Sequence, residues 1–101
     1  MAIVEATITP LGTASTSVSH YVAECHKVLK NYPEINYQLT PMGTIFEGDL
    51  PTILEVIQKM HEVPFDKGAL RVSTSIKIDD RRDKIGTMEG KLNSVREKLT
   101  T

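Results

Sequence analysis

From Leu70 to Ile78 the chain alternates for nine residues, with Leu70, Val72, Thr74, Ile76 and Ile78 on one side and Arg71, Ser73, Ser75 and Lys77 on the other. A period of two over that length permits only an extended strand with one dry and one wet face. The N-terminal stretch repeats the pattern, Ala2, Val4, Ala6 and Ile8 against Ile3, Glu5, Thr7 and Thr9, before Pro10-Leu11-Gly12 ends it. Two half-buried strands at opposite ends of a short chain require apolar cover on one side. Two helical stripes between them supply it. Val18, Val22, Cys25 and Leu29 follow a Ser/Thr cluster (Thr13, Ser15, Thr16, Ser17) whose hydroxyls offer N-caps, and this helix runs to Asn31 ahead of Pro33. Leu50, Ile53, Leu54, Ile57 and Met60 form the second stripe, capped by Asp49, opened by Pro51 and expected to stop by Pro64.

Ile35, Tyr37 and Leu39 alternate with Asn36, Gln38 and Thr40, and the turn Thr40-Pro41-Met42-Gly43 leads into a strand over 44–48, so these two strands form a hairpin. A last helix is expected over roughly 84–99. Strand, helix, strand, strand, helix, strand is the split βαβ order, which predicts an α+β fold: a ferredoxin-like βαββαβ sandwich with an extra C-terminal helix, one domain over residues 1–101. At 101 residues a single core forms but stays small enough to gain from subunit association.

Twelve Lys and Arg against thirteen Asp and Glu give a net charge of −1, and there is no Trp, which disfavours a general nucleic-acid binder. Residues 1–67 carry an acidic excess and 68–101 a basic one, as two solvated faces or an acidic surface meeting a basic one in an oligomer would require. Cys25 is the sole cysteine, so no intrachain disulfide is possible. The N-terminus has neither the basic nor the apolar region of a leader, and no run approaches the ~18 apolar residues of a membrane span, so the expectation is a soluble cytoplasmic protein without a membrane partner.

The helices cover one sheet face. The other would carry Glu5, Thr7, Thr9, Asn36, Gln38, Glu47, Arg71, Ser73, Ser75 and Lys77. Such a face can simply be solvated, but its hydroxyls and amides each donate and accept, which suits a small polar ring system better than a polyanion. The last helix spaces Ile85, Met88, Leu92, Val95 and Leu99 by 3, 4, 3 and 4, a narrow seam that packs on its own domain or on a second subunit; Gly86 and Gly90 weaken it and favour outside support. His20, Cys25 and His26 do not have helical metal-ligand spacing, and no nucleophile or phosphate-loop motif is present. The expectation is therefore no catalytic residue, no metal site and no cofactor. Asp79-Asp80-Arg81-Arg82-Asp83-Lys84 reads as a self-paired, solvated turn.

Three segments carry a resemblance: Ile8-Thr9-Pro10-Leu11-Gly12-Thr13, then Thr40-Pro41-Met42-Gly43-Thr44-Ile45-Phe46-Glu47-Gly48, then Gly68 through Ile78 with Arg81, Asp83 and Lys84 behind it. In order and spacing they resemble the small thiamine-binding-protein family, related to the hydroxymethylpyrimidine-binding domains of thiamine salvage. The resemblance implies a ferredoxin-like subunit, assembly into dimers and tetramers, and non-catalytic binding of thiamine (vitamin B1) or its pyrimidine portion. It maps the Pro-Leu-Gly-Thr turn to Pro10, Leu11, Gly12 and Thr13, the hairpin motif to Gly43, Thr44, Glu47 and Gly48, and the strand to Arg71 and Ser73. An aminopyrimidine needs an acceptor for its amino group and donors for its ring nitrogens, and a thiazolium is balanced by a carboxylate. Glu47 or Glu5 with Thr7, Thr44 and Ser73 would supply these in a polar pocket on the open sheet face of an oligomer, with Glu47 serving the ligand more than the fold. The competing expectations on the same fold are a cofactor-independent enzyme, a sensor module and a purely structural oligomer.

Overall fold

The two alternating end segments lie side by side at one edge of a four-stranded antiparallel sheet. In the computed structural model, which describes residues 1–14, 18–83 and 86–100, the elements are β1 (Ala2–Leu11), α1 (Ser19–Lys27) continued by a 3-10 turn (Val28–Asn31), β2 (Asn36–Thr40), β3 (Gly43–Gly48), α2 (Leu50–Asp66), β4 (Arg71–Asp80) and α3 (Met88–Leu99). The strand order is β2-β3-β1-β4, the ferredoxin-like arrangement, with a third helix appended.

Pairing fixes the faces. Val4 lies opposite Phe46 and Ile78, and Ala6 opposite Thr44 and Ile76, so these side chains share the helix-covered face. Ile3 lies opposite Glu47 and Asp79, on the open face. The core joins Ala2, Val4, Ala6 and Phe46 to Cys25, Leu29, Ile53, Val56, Ile57 and Met60.

Several elements depart from expectation. β1 does not stop at Pro10: its register with β3 ends at Ala6 while its register with β4 runs to Leu11, so Pro10 sits where one edge of the strand is already unpaired and a missing N–H costs no ladder bond there. Of the Ser/Thr cluster, Ser15, Thr16 and Ser17 lie outside the described residues. The N-cap of α1 is Val18, without a side-chain cap. α2 runs through Pro64 to Asp66. Pro64 cannot donate to the Met60 carbonyl four residues back, and the Cys25 thiol takes that acceptor instead, Sγ to O at 3.3 Å. On the same helix Val56 is buried and Leu54 exposed, because the stripe centres on Ile53, Val56, Ile57 and Met60.

The helices do not span the whole sheet. Tyr37 and Leu39 on the β2 edge and Ile76 and Ile78 on the β4 edge lie on the covered side by register, yet are about half exposed, and Leu70 ahead of β4 is fully so. α3 starts at Met88, capped by Thr87, whose Oγ1 accepts from Gly90 N at 2.9 Å; Lys84 and Ile85 lie outside the described residues. It buries no side chain, and Leu92, Val95 and Leu99 face solvent. The chain is 49 Å long with a radius of gyration of 15.2 Å, against about 13 Å for a compact domain of 100 residues. No helix among the described residues is long and apolar enough to cross a membrane.

Candidate functional site

Where β1 runs past the end of β3, its free edge, the β2–β3 turn and α1 enclose a cavity of about 180 Å³. Gly43 lets these parts approach: a Cβ there would meet Thr7 Oγ1 at 2.8 Å and the Ala6 carbonyl at 2.9 Å. The turn is fixed by its own hydroxyls. Thr40 Oγ1 donates to the Gly43 carbonyl at 2.9 Å and accepts from Gly43 N at 3.1 Å, and Thr7 Oγ1 donates to the Met42 carbonyl at 3.1 Å.

The walls are mainly apolar, from Ile8, Val18, Val22, Leu39, Met60 and others. Two polar side chains meet inside: His26 Nε2 and Thr44 Oγ1, 2.9 Å apart. The imidazole is further held edge-on by the Tyr37 ring at 5.4 Å. Burial pushes the His26 pKa down, so the ring is neutral at pH 7. Burial, reinforced by Glu24, pushes the Cys25 thiol in the same wall up to about 11, which keeps it protonated and inert. No Asp, Glu, Lys or Arg lines the cavity among the described residues. An uncharged heteroaromatic with donors and acceptors on its rim suits such a space; a phosphate or carboxylate would find no cation.

The residues singled out from the sequence divide between two places. Gly43 and Thr44 line the cavity, and so does Thr7, which shares the open-face parity of Glu5 but stands at the free edge of β1, bonded to the β2–β3 turn. Thr44 lies opposite Ala6, on the helix side of the sheet, whereas Glu5, Glu47, Arg71 and Ser73 lie on the open face. Pro10 and Leu11 end β1, and Gly12 turns the chain with φ +70°, followed by Thr13; none of these four lines the cavity. Glu47 is buried and engaged: Oε1 accepts from Asn36 Nδ2 at 3.1 Å, and Oε2 accepts from Met88 N at 2.7 Å. A carboxylate on the first N–H of α3 sits at the positive end of the helix dipole and pins that helix to the sheet.

Beside this anchor, α3 and the open face enclose a cleft of about 580 Å³, with Ile3 and Asp79 on one side and Lys91, Val95 and Lys98 on the other. Its charges are largely paired, Lys91 with Asp79 and Arg81 with Asp83; Arg82 pairs with Asp80 nearby, so the charged turn pairs within itself over Asp80–Asp83 as expected, while Asp79 turns to α3 instead. No group of three His, Cys, Asp or Glu side chains able to hold a metal occurs among the described residues. The functional candidate missed in the sequence is His26. It follows Val18 and Val22 at steps of four, which places it on the flank of the α1 stripe facing the sheet.

Comparison with known proteins agrees with this architecture. The family model described as thiamine-binding protein matches residues 4–96. The UPF0045 protein YqgV of Bacillus subtilis is 53% identical over 102 residues, 98% of each chain. The crystal structure of protein MJ1052 from Methanocaldococcus jannaschii superposes with a TM-score of 0.86 at 38% identity, over 95% of this chain and 96% of that one. A Thermotoga maritima protein provisionally named for thiamine biosynthesis or salvage shares the fold, with a TM-score of 0.75 at 17% identity over 93% and 97% of the two chains.

Proposed function

The chain belongs to the thiamine-binding protein family, and from that premise we propose that it binds thiamine, or the hydroxymethylpyrimidine portion of it, without turning it over, as a cytoplasmic homo-oligomer. The observation that carries this reading is the neutral cavity with one imidazole–hydroxyl pair at its polar wall. His26 and Thr44 each offer hydrogen-bonding capacity of the kind an aminopyrimidine needs, and the apolar walls accept its ring faces. The cavity is small, so the pyrimidine enters and the thiazolium stays toward the mouth. The open-face acids Glu5 and Glu47 are on the other side of the sheet from Thr44, which argues for the pyrimidine end as the part recognised. Oligomer formation is supported by α3, whose Leu92, Val95 and Leu99 stand exposed among the described residues.

Isothermal calorimetry with thiamine and, separately, with hydroxymethylpyrimidine tests the reading. Saturable heat with either compound, lost in Thr44→Val, is expected. Absence of saturable heat and of any thermal shift at millimolar concentration with both compounds overturns it.

A further inference from the structure

The cavity bears no fixed charge on its described walls, yet one wall residue, His26, is an imidazole that acid can protonate. We propose that His26 makes ligand retention proton-dependent: the neutral imidazole admits a cationic ligand, and its protonation expels that ligand by placing a like charge beside it. The inference rests on the proposed thiamine reading and adds a mode of regulation to that site.

The geometry isolates this group. From α1, Tyr21 and Cys25 share the cavity wall, and burial holds the thiol up at about 11. From β2 the Tyr37 ring meets the imidazole edge, and from β3 Thr44 meets Nε2. β1 and α2 contribute Ala6, Thr7, Ile8, Thr9, Met60 and Pro64, none of them titratable. On the outer side, Lys27 and Lys30 share a shallow hollow with His26 and Tyr37, and Lys27 is paired with Glu24 at 2.7 Å. Acidification therefore alters one charge at the cavity. Burial of the ring makes the added positive charge unwelcome. No carboxylate lines the described walls to compensate it.

Thiamine carries a permanent positive charge on its thiazolium, and hydroxymethylpyrimidine does not. Like charges within about 10 Å in a partly screened site repel enough to change affinity roughly tenfold. Calorimetry at about pH 7.5 and about pH 5.5, on either side of the ordinary imidazole range, is expected to show thiamine weakening roughly tenfold in the wild type and hydroxymethylpyrimidine weakening less. His26→Asn keeps a neutral polar side chain, and its thiamine affinity should keep only the weaker pH dependence that protonation of the ligand's own aminopyrimidine brings. A wild type with pH-independent thiamine affinity, or a His26→Asn variant with the wild-type pH dependence, overturns the inference while leaving the binding reading intact. Failure of both compounds to bind at either pH overturns both. A readout in the unmodified protein guards against a variant that folds badly: saturating thiamine should move the NMR titration midpoint of the His26 ring protons to lower pH, because coupling between proton and ligand is reciprocal. An unmoved midpoint overturns the inference.

Discussion

Two concave regions of this molecule, one on each side of the sheet, are built on opposite principles. On the helix side of the sheet, the cavity at the β2–β3 turn is small and apolar and holds one polar pair, His26 and Thr44. On the open side, the cleft under α3 is larger and lined by paired charges, with the buried Glu47 carboxylate holding the N-terminus of α3 beside it. The difference teaches that a polar surface and a polar site are distinct things. Side chains that look available on an alternating strand are consumed by neighbours or water, whereas recognition of a small ring needs enclosure first and a few convergent polar atoms second.

If the α3 side is for assembly and the cavity side for ligand, changes on one side should leave the other intact. The largest effect is expected from Leu92→Asp on the exposed seam of α3. Analytical ultracentrifugation at micromolar concentration should give a multiple of 11.2 kDa for the wild type and a shift toward 11.2 kDa for the variant, since a charge buried in that seam would be unpaired. A wild type that sediments as a single 11.2 kDa species contradicts the assignment of α3. Next comes Gly43→Val. Its side chain would drive into Thr7 and the Ala6 backbone, so urea denaturation should report a loss of about 3 kcal/mol, at the upper end of overpacking costs, together with loss of ligand binding. Unchanged stability would mean that the turn is free to move away from β1.

Glu47→Ala should cost about 2 kcal/mol, within the range for hydrogen bonds to a charged group, because Asn36 and the Met88 N–H lose their acceptor. Hydrogen exchange should quicken at the first turn of α3, while affinity for the cavity ligand stays as it was. Strong loss of affinity with protected α3 amides would instead return Glu47 to the ligand, the role its place on the alternating strand suggested.

That contrast shows what was legible in the sequence. Strand faces were, because a period of two admits one reading, and the open-face placement of Glu5, Glu47, Arg71 and Ser73 follows from it. Thr44 shows the limit. Alternation puts it on the helix side with Phe46, but only the fold brings its hydroxyl beside His26, 18 residues earlier on α1. Continuation of α2 through Pro64 was also hidden, since the acceptor freed at Met60 is satisfied by a cysteine 35 residues away. Neither pairing leaves a local pattern. Motif spacing carried the family resemblance, and it drew attention to Gly43 and Thr44, but it could not distinguish residues that line a cavity from those that shape the turn around it.

The smallest expected effect is on stability against pH. Burial lowers the His26 pKa in the folded chain, so the unfolded chain takes up that proton more readily. The stabilising contribution of the neutral ring is therefore complete above the ordinary imidazole range and is eroded as pH falls through it. Thermal melts of wild type and His26→Asn between about pH 7.5 and about pH 5 should show a shallower acid slope for the variant. Parallel slopes would mean that the imidazole is not desolvated.

The measurement that bears most directly on the cavity as the ligand site is an amide-resolved NMR titration of the wild type with thiamine. The expected result is saturable shifts concentrated at Thr7, His26, Gly43 and Thr44, with Glu5, Arg71 and Ser73 little moved. Saturable shifts centred on Glu5, Arg71 and Ser73 would put the ligand on the open face and contradict the account.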